Sequence, residues 1–185
     1  MLRIRRCGRA VCVSYNPLMA KKEYQGPRHE NLHASSELIT DDEVAALELA
    51  LELAWCAKTM LPEEQADFDG TDPSYSQCFV TAMVIAYLLG GQIAQGTIRE
   101  DPENIHAWNI LPDDSQHDFN RKQFPKGFHI DLVKTRSFQS LLESSNAIKN
   151  ETSKRFLLLL DRVFEYLPEQ LADKWYGKEY RAAFR

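Results

Sequence analysis

Three residues of this sequence have the side chains of a cysteine-nucleophile site. Cys78 stands where a polar segment gives way to a long apolar run, His106 opens a later alternating segment, and Asp118 lies in the next one. An imidazole can take the proton of a thiol, and a carboxylate on its other nitrogen fixes the tautomer and orientation of the ring. The order Cys, His, Asp is the order that such a site needs.

Each of these residues also has a structural interpretation. A helix N-terminus lowers the pKa of a thiol, but free cysteine is among the most buried residue types, and on an apolar helix it is more often structural. His106 can be a hydrogen-bonded core histidine and Asp118 a turn carboxylate, while Trp108 and Asn109 can serve sheet packing. The residues alone leave both interpretations open.

A capping box predicts the first helix. Thr40 is followed three residues later by Glu43, and apolar residues recur at helical spacing up to Pro62. We therefore expect a helix from about 41 to 60. The segment 62–77, rich in Asp, Gly and Pro, is expected to be a surface loop.

A second helix is expected to begin just before Cys78. Ser74 and Gln77 have the spacing of another capping box, Ser76 is a competing N-cap, and Gly90-Gly91 supply the stop. Cys78 falls in the first helical turn whichever cap is used.

After the two glycines the pattern changes from helical to alternating. Antiparallel strands are predicted at 92–98, 106–111 and 115–120. A turn near 112–115 can set His106 and Asp118 side by side, a short helical turn is expected at 120–123, and the last helix at about 153–167. The order helix, helix, strands, helix predicts an α+β fold in which helices pack on a small antiparallel sheet.

The composition indicates one globular domain. The chain has 185 residues, 44% hydrophobic and 26% charged, so we expect a flexible tail at 1–35 and a single domain at 36–185. A net charge of -5 lacks the basic field of nucleic-acid binding, and no stretch is apolar enough to span a membrane. Four scattered cysteines fit a reducing compartment, so a cytoplasmic location is expected. Residues 1–18 are interpreted as a targeting peptide or as an overextended start before Met19.

Two segments around the candidate triad resemble a known family. SQCFVTAMVIAYLLGGQI at 76–93 and HAWNILPDDSQHDFNRKQF at 106–124 resemble the YunG-like proteins, with a pattern like GQCAVTALVVQDxFGGxI followed by HYWNxLxxGxxxDLTxxQF. The cysteine, the two glycines, the histidine, the aspartate and Gln123-Phe124 fall in register. Ser76 stands where that pattern has glycine, and HDFN at 117–120 departs from it.

The resemblance implies a site and, more remotely, a fold. Through this pattern the chain is similar to the papain-like and transglutaminase-like enzymes, whose core holds a nucleophilic cysteine at a helix N-terminus. It implies that Cys78 is the nucleophile, His106 the general base and Asp118 the orienting acid. The backbone N–H of Cys78 is a candidate oxyanion donor. Further candidates for oxyanion or substrate binding are Gln77, Trp108 and Asn109.

The predicted activity is that of a cysteine enzyme. It would form a thioester acyl intermediate that water or an amine resolves, as a hydrolase or an acyltransferase, on a peptide, amide or small-molecule acyl substrate. No cofactor is expected. The alternative is a non-catalytic binding module on the same fold. A third interpretation makes the C-terminal helix and the aromatic-rich segment 175–185 a partner interface.

A zinc site is the rival interpretation of the same side chains. The ligand types that zinc accepts are present at Cys78, His106, His117 and His129. No two of them have ligand spacing on one helix, and His117 is adjacent to the candidate acid on a strand, so the two side chains face opposite ways. We therefore expect no metal.

Overall fold

The computed structural model describes residues 39–176, so the predicted tail at 1–35 and most of the segment 175–185 lie outside the described residues. The helices are α1 (Asp41–Ala54), α2 (Cys78–Leu89), α3 (Phe138–Leu142), α4 (Thr152–Tyr166) and α5 (Glu169–Tyr176). The strands are β1 (Gln92–Ile98), β2 (Asp101–Ile110), β3 (Gln116–His117) and β4 (Ile130–Arg136). Helices and a small antiparallel sheet make this an α+β fold, as the sequence predicts.

The first helix begins as predicted and ends earlier. The Thr40 hydroxyl accepts from the backbone N–H of Glu43 at 3.3 Å, and the Glu43 carboxylate accepts from the backbone N–H of Thr40 at 3.0 Å. At Trp55 the backbone becomes extended, and the indole N–H donates to the Thr81 hydroxyl of α2 at 3.0 Å. The chain then forms a separate 3₁₀ turn at Ala57–Thr59.

Helix α2 is the centre of the core. It is apolar on all sides, which is typical of a helix surrounded by protein, and it packs against β2 and α4. The two predicted serine caps are wrong. Ser74 donates its hydroxyl to Asp72 at 2.6 Å, and Ser76 has a left-handed backbone, so the helix begins at Cys78 with no side-chain cap. Gly90, with φ of 79°, ends the helix as predicted.

The sheet has the order β3-β2-β1-β4, and each neighbouring pair is antiparallel. Gly96 of β1 lies opposite His106 of β2. A Cβ atom on Gly96 would lie 2.6 Å from the carbonyl oxygen of Asp131 and 3.0 Å from the Trp108 ring, so no side chain fits there. The missing side chain therefore lets β1 lie close to the backbone of β4 and to the Trp108 ring of β2.

The predicted hairpin between β2 and β3 is present, but its second strand is short. Asn109 pairs with His117, and the backbone N–H of Leu111 donates to the carbonyl of Ser115 across the turn. Asp118 therefore lies just after β3, in the segment that turns back toward β2. The helical turn expected at 120–123 is a 3₁₀ turn.

Helix α4 matches its prediction and covers the opposite side of the core. Its apolar face is buried against α1 and α2. The sequence patterns did not predict α3, α5 or β4. The first two are short, and β4 is an exposed strand with an interrupted register. Within residues 39–176, no helix has the length and apolar character needed to cross a membrane.

Candidate functional site

Cys78 is the first residue of α2, so it lies where backbone N–H groups lack intrahelical acceptors. Its side chain is almost buried, with 9% of the residue exposed. The thiol lies 4.0 Å from the carbonyl oxygen of Ile105, the residue that precedes the candidate base on β2. The nucleophile candidate therefore lies beside the strand that carries His106.

His106 is fully buried, and both of its ring nitrogens have partners. Nε2 lies 2.9 Å from both carboxylate oxygens of Asp118, and Nδ1 lies 3.1 Å from the amide nitrogen of Gln123. Trp108 stacks against the ring at a centroid distance of 6.1 Å, and Phe124 meets it edge-on at 4.8 Å. These contacts hold the imidazole in one orientation.

The electrostatics of the site favour an imidazolium. Burial acts to lower the pKa of His106, but the hydrogen bond to Asp118 and the interaction with the nearby Cys78, together with the charges of both groups, raise it to about 9. At neutral pH the ring is therefore protonated, with the Asp118 carboxylate at Nε2 and the Gln123 amide at Nδ1. The structure thus places Asp118 against His106, and the Cys78 thiol beside the strand that carries His106.

Asn120 connects the acid to the loop before the nucleophile. Its backbone N–H donates to the Asp118 carboxylate at 3.2 Å, and its buried side-chain amide donates to the carbonyl of Ser74 at 3.0 Å. The segment that holds the acid is thus hydrogen-bonded to the turn that leads into Cys78.

The family of the chain follows from a profile comparison. The profile of the YunG protein family matches residues 43–168, which is more than half of the chain and includes the whole candidate site. The chain belongs to the YunG protein family. Among curated proteins and among solved structures, no match was found.

Ser76 occupies a position where the YunG-like pattern has glycine. Its φ is 59°, in the left-handed region that favours glycine, and its hydroxyl is buried without a hydrogen-bond partner. The glycine of the pattern is therefore explained by the backbone turn that leads into Cys78, and serine is the strained choice there.

The three further candidates for oxyanion or substrate binding are placed differently. Gln77 is fully buried, its amide nitrogen donates to the carbonyl of Pro73 at 2.7 Å, and its amide oxygen accepts from Thr59. Asn109 is also buried and donates to the carbonyl of Ala82 at 2.9 Å. Both amides are committed to internal contacts, which argues against a role in binding an oxyanion. Only Trp108 borders open space.

A cavity of about 280 Å³ adjoins the His-Asp pair. It is lined by Trp108, Gln116, Asp118, Arg121, Phe128 and Ile130. The Trp108 indole N–H donates to the Gln116 amide oxygen at 2.9 Å across one wall. Since Asp118 also bonds His106, the cavity reaches the acid side of the triad; neither Cys78 nor His106 is among its lining residues.

The histidines of the rival zinc set lie in separate contacts. His117 stacks with Phe119 at a centroid distance of 6.0 Å, and the exposed His129 lies 2.8 Å from the Glu100 carboxylate. Within residues 39–176, no group of three or more His, Cys, Asp and Glu side chains is arranged to hold a metal ion.

Sequence reasoning missed Gln123 as a partner of His106. The signal in the sequence was that Gln123 lies in the segment 106–124, which resembles the family pattern. Its amide can present its nitrogen to a neutral ring or, after rotation, its oxygen to an imidazolium. Gln123 can therefore remain bonded to His106 in both protonation states.

Sequence reasoning also missed Arg155. This guanidinium is 3% exposed on the inward face of α4, and it donates to the carbonyls of Thr59 at 3.0 Å, Asn150 at 3.3 Å and Ser76 at 3.4 Å. The signal in the sequence is the position of Arg155, immediately before Phe156 and next to the apolar stripe of a helix. An arginine is rarely buried at such a position unless its charge has a partner.

Proposed function

We propose that this YunG family protein is a cysteine enzyme that forms a thioester acyl intermediate. Cys78 is the nucleophile, His106 the general acid and base, and Asp118 the group that orients the imidazole. The observation that supports this most strongly is the buried His106, which is bonded through Nε2 to the Asp118 carboxylate and whose pKa is raised to about 9 by Asp118 and Cys78 together.

In the proposed first step, the thiolate of Cys78 attacks the carbonyl carbon of an acyl donor. The C–S bond forms, and the carbonyl oxygen becomes an oxyanion near the backbone N–H of Cys78. The imidazolium of His106 then gives its Nδ1 proton to the leaving amine or alkoxide, once the Gln123 amide has turned away from Nδ1. The bond from the acyl carbon to the leaving group breaks. Asp118 keeps the ring oriented because it holds Nε2.

In the proposed second step, water or an amine attacks the thioester carbon. Neutral His106 takes the proton of the attacking group and so becomes the imidazolium. The oxyanion then collapses to a carbonyl, the C–S bond breaks, and Cys78 leaves as the thiolate. Hydrolysis and acyl transfer share the first step and differ only in the second attacking group.

A papain-like or transglutaminase-like core is part of this proposal. The support is the arrangement of elements: α2 carries Cys78 at its N-terminus and packs on β2, the strand that carries His106, while the acid follows the next strand in the hairpin. This is the order of parts that the resemblance to those enzymes implies.

A non-catalytic binding module is the second candidate function. It is favoured by the position of the cavity, which opens beside Trp108 and Asp118 while Cys78 is only 9% exposed. A ligand held in that cavity would contact the acid side of the triad and leave the sulfur unmodified.

A panel of acyl electrophiles, read by mass spectrometry of the folded protein, separates the two functions. Cys56 is free and more exposed than Cys78, so it serves as an internal reference. We expect acylation of Cys78 at pH 6 to exceed that of Cys56, and His106→Ala to abolish the difference. If both cysteines are modified equally and His106→Ala changes nothing, the proposed enzyme function is contradicted. The binding module is then the remaining candidate function.

A further inference from the structure

A buried cation lies behind the turn that leads into Cys78. Within the described residues, Arg155 forms no ion pair with a carboxylate, and its hydrogen bonds go to three main-chain carbonyls. Removing a charge from water costs several kcal/mol unless it is compensated. The three carbonyl dipoles compensate part of the positive charge of Arg155. The remainder requires a negative charge nearby.

The bonds of Arg155 converge on the nucleophile. Its guanidinium donates to the carbonyl of Ser76, two residues before Cys78, and to Thr59, whose hydroxyl bonds the Gln77 side chain. Arg155 therefore supports the backbone turn from two sides. The turn needs this support because Ser76 is left-handed and helix α2 has no side-chain cap.

Among the described residues, four groups act on the Arg155 guanidinium through their charges, and one of them is Cys78 when it is ionised. Burial lowers the pKa of Arg155 to about 10, and Cys78 is the largest of the charges that act in the opposite direction. The others are Glu63 and Glu64 of the turn at 62–67 and Glu151 before α4. Because Arg155 stays protonated at neutral pH, it presents a positive charge to the thiolate form of Cys78.

A count of formal charges gives the consequence. Asp118 carries one negative charge and Arg155 one positive charge, and a proton moved from Cys78 to His106 adds one of each sign. With Arg155 these four groups sum to zero, and with Glu63, Glu64 and Glu151 included the sum is negative; removing Arg155 makes either sum more negative by one. A negative site opposes formation of a thiolate.

We propose that Arg155 is a positioning residue of the Cys78 site, which fixes the turn before the nucleophile and supplies the positive charge that stabilises its thiolate. The inference rests on the proposed function, since it assigns Arg155 a part in preparing the same nucleophile. It adds a residue of α4 to a site otherwise built from α2, β2 and the segment after β3.

The test is the rate at which iodoacetamide alkylates Cys78 in the folded protein, followed from pH 5 to pH 10 by mass spectrometry. Arg155→Gln is neutral but can still donate hydrogen bonds, and Arg155→Lys keeps the charge but loses the planar fork. A second neutral variant, Arg155→Met, is used if Arg155→Gln does not fold. The matched control is Arg162→Gln, because Arg162 lies on the same helix and also donates to main-chain carbonyls, away from the site.

We expect the neutral variants to lower the rate of Cys78 alkylation at pH 6 about tenfold relative to the parent protein. Arg155→Lys should keep most of the low-pH reactivity although its Tm falls, and Arg162→Gln should leave the profile unchanged. If the parent protein is activated and a folded neutral variant shows the same profile, the inference is overturned and the proposed function stands. If Cys78 of the parent reacts as an ordinary thiol, both are overturned.

Discussion

Replacing Ser76 by glycine should stabilise the protein although it removes a side chain. Ser76 has φ of 59°, which costs a residue with a Cβ atom roughly 1–2 kcal/mol. Its buried hydroxyl has no partner, which adds about 1–3 kcal/mol. Glycine lowers the stability by roughly 0.5–1 kcal/mol, because it gives the unfolded chain more conformational freedom. With the packing that the side chain loses, we expect a net gain of about 1–2 kcal/mol in the free energy of unfolding, within these ranges.

Thermal and urea unfolding measure this gain. For a chain of this length, the expected rise in Tm is about 2–8 °C. Ser76→Ala separates the two contributions, because it removes the hydroxyl and keeps the strained backbone. It should therefore be less stable than Ser76→Gly by roughly 0.5–1 kcal/mol, which is the backbone strain less the greater freedom of glycine in the unfolded chain. A glycine variant that is no more stable than the parent would refute the reasoning, since it would mean that the left-handed turn stores no strain.

Three further predictions concern His106, Gly96 and Asn109. Because the folded pKa of His106 is raised from 6.5 to about 9, its contribution to stability, about 3 kcal/mol, is complete below pH 6.5 and is lost as the pH rises through about 9. Asp118→Asn should flatten this pH dependence in urea unfolding, and an unchanged slope would contradict it. Gly96→Ala should lower the free energy of unfolding by about 2 kcal/mol or more, because its methyl group would meet the backbone of β4. Asn109→Ala should lower the free energy of unfolding by about 1–2 kcal/mol and leave the rate of Cys78 alkylation unchanged. A loss of alkylation would contradict this and indicate that Asn109 belongs to the site.

Local patterns predicted the elements that carry the triad. The capping box of α1, the glycine stop of α2 and the β2-β3 hairpin depend on residues a few positions apart, so the sequence contains their full description. The helix start at Cys78 followed from the change to an apolar run. The predicted serine caps did not form. The Ser74 hydroxyl donates to Asp72 instead, and the backbone of Ser76 is left-handed.

Contacts between distant segments were beyond these patterns. Arg155 reaches Thr59 and Ser76 across the core, and the Gln123 side chain meets His106 only after the chain has turned back over the sheet. Strand β4 was missed for a different reason. Its side chains are mostly exposed, and a register shift opposite Gln95 interrupts the alternation by which strands are recognised.

The same register shift has a consequence for the behaviour of the protein at high concentration. An end strand of a sheet presents unpaired amide and carbonyl groups on which another chain can assemble into fibrils. Here β4 is interrupted by an irregularity and carries Asp131, Lys134 and Arg136, while the other end of the described sheet, β3, is two residues long. Neither end offers a long, flat template, so this sheet resists growth by the addition of strands from other molecules.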